Sequence, residues 1–516
     1  MTAENNPRTV YQITSKPGFS RDGTILDRSS YVDGQWVRFQ RGRPRKIGGY
    51  KEISSGITDI ARGAYVYSKG MLEYLYSFGG ARGWLSTTTP DGASSVAGST
   101  PLPGLTDADD YTFQVDTIFD ATGGSISNLL VHPAANLEDI SSRTNTPIYY
   151  TELGLNPTTY SAVDDGEGGT VSVSGGLVVL HPFIFAYGND GLIKNSNANA
   201  PNDWRIAVGK EANEANVAGT KIVKGLPLRG GSNSPAGLFW ALDSLIRVSR
   251  VGSEFRYDTM SAQTTILAPN SAIEYDGAYY WIGIDRFQMY NGTVNEVPND
   301  QNYNWFFDNV NYRQRSKIWA MKNTRFGEIW WFFPFGGATE CTHAIIYNVR
   351  EGSWYDIELS RSAGFPSKVF RYPTMYGNTL NSVGAYSNYL HEFGTDAIHS
   401  GDQMAIPSFF ETSDFGFPTG GASGEQPVGS SYWTRVVRIE PDFIQEGDMT
   451  VQVVGSSFAQ SAESESPIFT FSQSTGKIDL REQFRHLRLK FISNALGGTF
   501  QMGRVILHLE PGDVRS

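Results

Sequence analysis

A single cysteine, Cys341, stands among 516 residues. One thiol cannot close an intrachain disulfide, and it excludes cysteine-cluster metal sites. Folding in a reducing compartment is compatible with that. No run of about 18 apolar residues occurs, so no membrane-spanning helix is expected. Residues 1–9 are polar and lack the apolar centre of a secretory signal, so none is expected. Basic residues are the minority charge: 42 Lys and Arg stand against 53 Asp and Glu, a formal net charge of −11. Tight DNA wrapping needs clustered Lys and Arg, so this chain is a poor candidate for it. Net charge of this size serves solubility. Also missing are a GxxxxGK[ST] phosphate loop, an HExxH pair, and the Trp-Asp, kelch and sialidase Asp-box signatures of known repeats. Asn195–Trp204 has only the aromatic end of such a box.

What is abundant is glycine (56) and aromatic side chain (30 Phe, 26 Tyr, 11 Trp). That mixture suits short strands joined by tight turns and not a helical bundle. One stretch has the pattern in full: strands at Ile318–Lys322, Glu328–Phe333, His343–Asn348 and Ser353–Ile357, separated by turn residues. Four such strands make an antiparallel sheet of propeller-blade size. Weaker copies lie at Ala64–Thr88, Phe183–Asn195, Leu238–Asp258, Tyr279–Val297 and Val383–Phe393. Within them Gly188-Asn189-Asp190 is a hairpin signal, and Asn291-Gly292 is expected to form a type I′ turn. Their spacing is uneven, so long inserted loops are expected at Leu85–Asp110 and Asp164–Gly176. About six to eight blades are allowed. After a Gly/Pro/Ser-rich linker, Phe415–Ser430, strands at Trp433–Glu440, Met449–Val454, Ile468–Phe471, Leu487–Phe491 and Arg504–Leu509 suggest a small β-sandwich. In the first of these, alternation sets Val436, Arg438 and Glu440 opposite Val437 and Ile439. The expected fold is all-β: a β-propeller with long inserted loops plus a C-terminal β-sandwich-like domain. Its parts are an N-terminal segment 1–56, which is net basic, a propeller 57–404 and a sandwich 405–516.

The residue types that carry chemistry are sparse. Cys341 and His343 are two apart, the spacing of one strand face. A cysteine without a placed base and orienting group is structural, so no nucleophile is expected. The aromatic run Trp330, Trp331, Phe332, Phe333 and Phe335 could be a sugar platform, but alternating rings on a strand pack between blades. Asp109-Asp110 and Asp164-Asp165 could bind calcium or act as glycosidase acids, and solvated turns are the simpler reading. The seven histidines are scattered. No catalytic, cofactor or metal residue is therefore expected, and the chain is expected not to be an enzyme.

Two stretches carry a family likeness. Ser30–Tyr50, SYVDGQWVRFQRGRPRKIGGY, resembles the opening phrase of tail nozzle proteins, also called tail hub or packaged-DNA-stabilising proteins, of short-tailed double-stranded DNA bacteriophages. Tyr432–Asp442, Arg485–Phe491 and Gly503–Asp513 resemble their C-terminal sheet, and Ala200–Trp204 and Gly352–Asp356 their blade endings. The resemblance implies a structural virion protein made in the host cytoplasm. It would be a homohexameric ring below an adaptor ring, with tail fibres or spikes nearby, whose channel holds packaged DNA and passes it during ejection. An acidic subunit repeated around a ring repels DNA rather than gripping it. The run Arg38, Arg41, Arg43, Arg45 and Lys46 is then the candidate interface, toward a neighbouring protein in preference to DNA. The competing reading is a carbohydrate-active or glycan-binding propeller, which predicts converging carboxylates on the propeller axis. A third, a ligand-binding propeller on a cell surface, calls for a secretion signal.

Overall fold

In the computed structural model the short aromatic runs pair into seven small antiparallel sheets, the blades of a β-propeller. The described residues are 8–512 except 25–26, 91, 93, 107–110, 122–125, 155–158, 230–233 and 419–431. The first strands of the blades are Gly63–Lys69, Tyr111–Asp120, Gly176–Leu180, Ile222–Leu228, Ile273–Tyr275, Trp319–Asn323 and Ala363–Phe365. Each has a hydrogen-bonded partner on one side only. These strands pack beside one another in an inner ring that closes where Ala363–Phe365 meets Gly63–Lys69.

Chain ends close the circle. The last blade takes three strands, Ala363–Phe365, Thr374–Tyr376 and Tyr386–His391, from late in the sequence and its fourth, Tyr50–Ile57, from the beginning. The expected boundary at residue 56 therefore falls inside a propeller strand. Just before it, Gly48 and Gly49 are required by close approach. A Cβ on Gly48 would lie 2.6 Å from Glu392 Oε2, and one on Gly49 would lie 2.2 Å from the Asp396 carbonyl oxygen. Only a residue without a Cβ fits there.

The sixth blade has the four strands the sequence indicates, with boundaries shifted by a residue. Its second strand, Glu328–Phe333, is buried on both faces. Trp330 and Phe332 join the core shared with the sandwich, while Trp331 and Phe333 pack toward the fifth blade. Elsewhere the expectations need correction. Ser94–Pro101, inside the expected insertion 85–110, is the fourth strand of the first blade and pairs with Arg82–Thr88. Gly292 takes φ 116° but Asn291 has no positive φ, so the turn is not type I′, which requires both. Two short strands expected over 383–393 are one strand, Tyr386–His391.

The sandwich is built from both ends of the chain. Thr9–Gln12 pairs with Ile506–Pro511, Asp33–Gln35 with Ser408–Glu411, and Arg43–Lys46 with Thr499–Met502. Strands at Phe443–Glu446, Ile478–Phe484 and Thr499–Met502 add to those expected. Simple alternation fails in Thr434–Glu440, because a register shift between Val436 and Arg438 brings both Val436 and Ile439 to full burial. One extra residue in a strand moves the following side chains to the other face. The expected linker also begins later than residue 415. Phe415 is buried, bridges Leu487 and stacks on Tyr11 at 5.1 Å.

Candidate functional site

The basic run divides by burial. Arg38, on the strand Val37–Gln40, is 1% exposed and points at the sixth and seventh blades. Its Nε donates to Glu328 Oε1 at 2.9 Å, its Nη2 to Glu328 Oε2 at 3.2 Å, and its Nη1 to Glu392 Oε2 at 3.0 Å. Tyr355 and Trp330 donate to the same Glu328 carboxylate, and Asn323 donates to Glu392. The guanidinium lies 3.5 Å from the centre of the Phe326 ring. Burial pushes the Glu328 carboxyl up, against the opposing pull of Arg38. Glu392 holds a positive φ of 61°, in the left-handed region that costs a residue with a side chain. Lys46 is also buried and donates to the Gly498 carbonyl at 2.8 Å. Burial lowers its pKa. Arg38 and Lys46 are thus internal fastenings and cannot serve as an exposed interface.

The other three arginines reach the surface. Arg41 sits at the hairpin tip with φ 52°, and Arg43 and Arg45 follow it on the strand Arg43–Lys46, half-buried. Arg45 donates to Gln40 at 2.6 Å. The fold adds two residues that the run did not include. Arg325 lies over the Phe326 ring at 4.9 Å, on the ring that Arg45 also approaches at 5.9 Å. Arg350 donates to the carbonyls of Thr324 and Arg325. The carboxylate of Glu351 accepts from the backbone N–H groups of Arg41 and Gly42. A basic patch therefore straddles the seam between sandwich and sixth blade. No linear motif could have shown it, because its halves are some hundreds of residues apart.

Other candidates resolve into structure. Cys341 is buried, donates to the Lys317 carbonyl at 3.3 Å, and burial raises its thiol to about 12. The His343 ring instead stacks on Phe335 at 4.4 Å, in a different apolar cluster. The two do not form a nucleophile–base pair. Asp164 and Asp165 are spent on a local turn, accepting from the backbone N–H groups of Gly166, Glu167 and Gly169. Asp109-Asp110 lies outside the described residues. Among the described residues no three His, Cys, Asp or Glu side chains gather as a metal site.

A cavity of about 160 Å³ lies on the propeller axis, lined by residues of the inner strands of five blades and of the turn before the inner strand of the fifth blade. Arg62, Gln114, Lys224, Asn270, Trp319 and Gly364 are among its walls. Gln114 ties the blades together: its amide donates to the carbonyls of Gly175 and Val223, and its oxygen accepts from Tyr187. Arg62 pairs with both oxygens of Glu340 at 2.6 Å, and Lys317 shares that carboxylate at 2.8 Å. Burial lowers the Lys224 ammonium to about 8. What lines this axis is amide, cation and ring.

No family model matches the chain, and no curated protein matches it. Many solved structures do resemble it. BBS1N, from a crystal of its complex with ARL6DN soaked with lead, shares 11% identity at a TM-score of 0.39, over 67% of this chain and 97% of its own. An exo-β-1,3-galactanase from Phanerochaete chrysosporium with galactose shares 11% identity at a TM-score of 0.29, over 90% of this chain and 100% of its own. A single-substitution variant of that enzyme with β-1,3-galactotriose shares 10% at 0.28, over 89% and 100%. Likeness at this level says nothing of activity; the β-propeller stands on the seven sheets themselves.

Proposed function

We propose that the chain is a structural subunit of a ring-shaped tail nozzle, one that forms the lower DNA channel of a short-tailed phage, retains packaged DNA and passes it during ejection. The observation that carries this reading is the part played by the phrase Ser30–Tyr50. Its strands lie in the sandwich, its buried Arg38 fastens sandwich to propeller, and its glycines lead into the strand that closes the last blade. The phrase that carries the family likeness is thus scaffolding, as a non-catalytic assembly unit requires. Its remaining arginines, with Arg325 and Arg350, present a basic patch to a partner. An acidic neighbouring ring, such as an adaptor, fits that patch by charge. The rest of the chain is acidic, which suits a channel that must release DNA.

The carbohydrate reading calls for carboxylates that converge on the axis. The carboxylates near it here, Glu340 and Asp116, are held by cations and by backbone N–H groups. Electron microscopy of the purified full chain, and of particles that contain it, tests the proposal. A six-fold ring with an open centre is expected. A monomer that binds oligosaccharide on its axis would overturn the nozzle reading in favour of a glycan-active protein.

A further inference from the structure

The charge on the propeller axis is not balanced. Lys224 leaves the inner strand Ile222–Leu228 and reaches the axial cavity, where its Nζ has one neutral partner, Asn270 Oδ1, at 3.3 Å. Among the described residues no carboxylate forms an ion pair with it. The acid nearest in effect is Asp116. Its Oδ1 accepts from the Thr117 N–H and its Oδ2 from the Val179 N–H, both at 2.8 Å, and burial pushes its carboxyl up. Arg62, on the cavity wall, shares Glu340 with Lys317, a trio of net charge +1. A partly buried ammonium whose one hydrogen-bond partner is neutral is incompletely compensated. The cavity beside it leaves room for an anion.

We propose that the axial cavity binds a small oxyanion, a phosphate, sulfate or carboxylate group, with Lys224 as its principal cation and Asn270 beside it. The space suffices: about 160 Å³ is several times the ~30 Å³ share of one water. The walls are held by inner strands of five blades and by the short turn Pro269–Ser271 that carries Asn270. Small residues, among them Gly63, Ala64, Ala320 and Gly364, leave the cavity open around the ammonium. The Lys224 ammonium, lowered to about 8 by burial, is still largely charged at neutral pH, and a bound anion would raise its pKa. The inference is independent of the nozzle reading.

Equilibrium dialysis of the full chain against labelled inorganic phosphate, at pH 7 and constant ionic strength, tests it. Lys224→Met is compared with Lys477→Met, which removes an exposed charge and controls for net charge. One phosphate per chain is expected, with affinity reduced at least about tenfold in Lys224→Met and unchanged in Lys477→Met. Thermal unfolding checks that Lys224→Met folds, as loss of an unbalanced buried charge favours. Displacement by acetate would support a carboxylate as the resident ligand, and resistance to acetate a tetrahedral one. Absence of saturable binding, or equal binding by the folded Lys224→Met variant, overturns the proposal.

Discussion

Arg38 shows how one side chain can tie two folding units together. It bridges a sandwich strand to acids on two blades, with all three side chains less than 10% exposed. Removing one member of such a group strands the others in a medium of low polarity, at a cost of about 3–5 kcal/mol. Arg38→Ala is therefore expected to lower the denaturant midpoint sharply. The double variant Arg38→Met with Glu328→Gln should recover part of the loss, because it leaves fewer buried charges. Additive losses in a urea titration would count against this account. Arg41→Ala, at an exposed position, is expected to change stability by less than about 0.5 kcal/mol. The sequence places both arginines in one run. Only the packed structure separates them, since burial depends on which strand face meets the blades.

At the scale of elements, the closing strand Tyr50–Ile57 and the lysines Lys221 and Lys224 of the fourth blade make separate predictions. Ile53, buried on that strand, has its neighbours paired with Tyr386–His391 across the seam between chain ends. Ile53→Pro removes a backbone donor and stiffens the strand. Limited proteolysis is expected to cut the last blade of this variant, Ala363–His391, far faster than the sixth. Equal rates would mean that the circle closes by other contacts. Lys221 and Lys224 are both lowered from 10.5 to about 8 by burial. Below pH 8 the folded chain bears the full cost of their buried charge. Between about 8 and 10.5 the folded form has released protons that the unfolded form still holds, so stability rises with pH across this window. The opposite end is set by His132, lowered from 6.5 to about 4 by burial, and stability falls as pH drops through that range. Unfolding midpoints measured from pH 4 to 10 should show both slopes, with the upper one reduced in Lys224→Met.

For the whole molecule, the basic patch is the feature that assembly would use. Charge reversal at Arg41, Arg45 and Arg325 is expected to leave the monomer folded and to weaken docking onto an acidic partner ring, more strongly at low salt than at high. Sedimentation of mixed components over a salt series measures this. Docking that is indifferent to all three reversals would move the interface elsewhere.

The sequence by itself determined the strand class, the sixth blade almost residue for residue, and the β-rich tail. Those are local properties: aromatic and β-branched runs, turn residues between them, and period-two burial. It also placed the arginines of the first fifty residues in a phrase of recognisable form. What only the tertiary structure decided depends on partners far apart in the chain. Tyr50–Ile57 closes a blade with strands more than three hundred residues later. Both chain ends share one sandwich. Arg38 and Lys46 turn inward while Arg325 and Arg350 join the surface patch. Lys224, without an ion-paired carboxylate among the described residues, stands on an axis that exists only once the sheets have closed. Strand formation follows from neighbours in sequence, whereas burial and charge balance follow from neighbours in space.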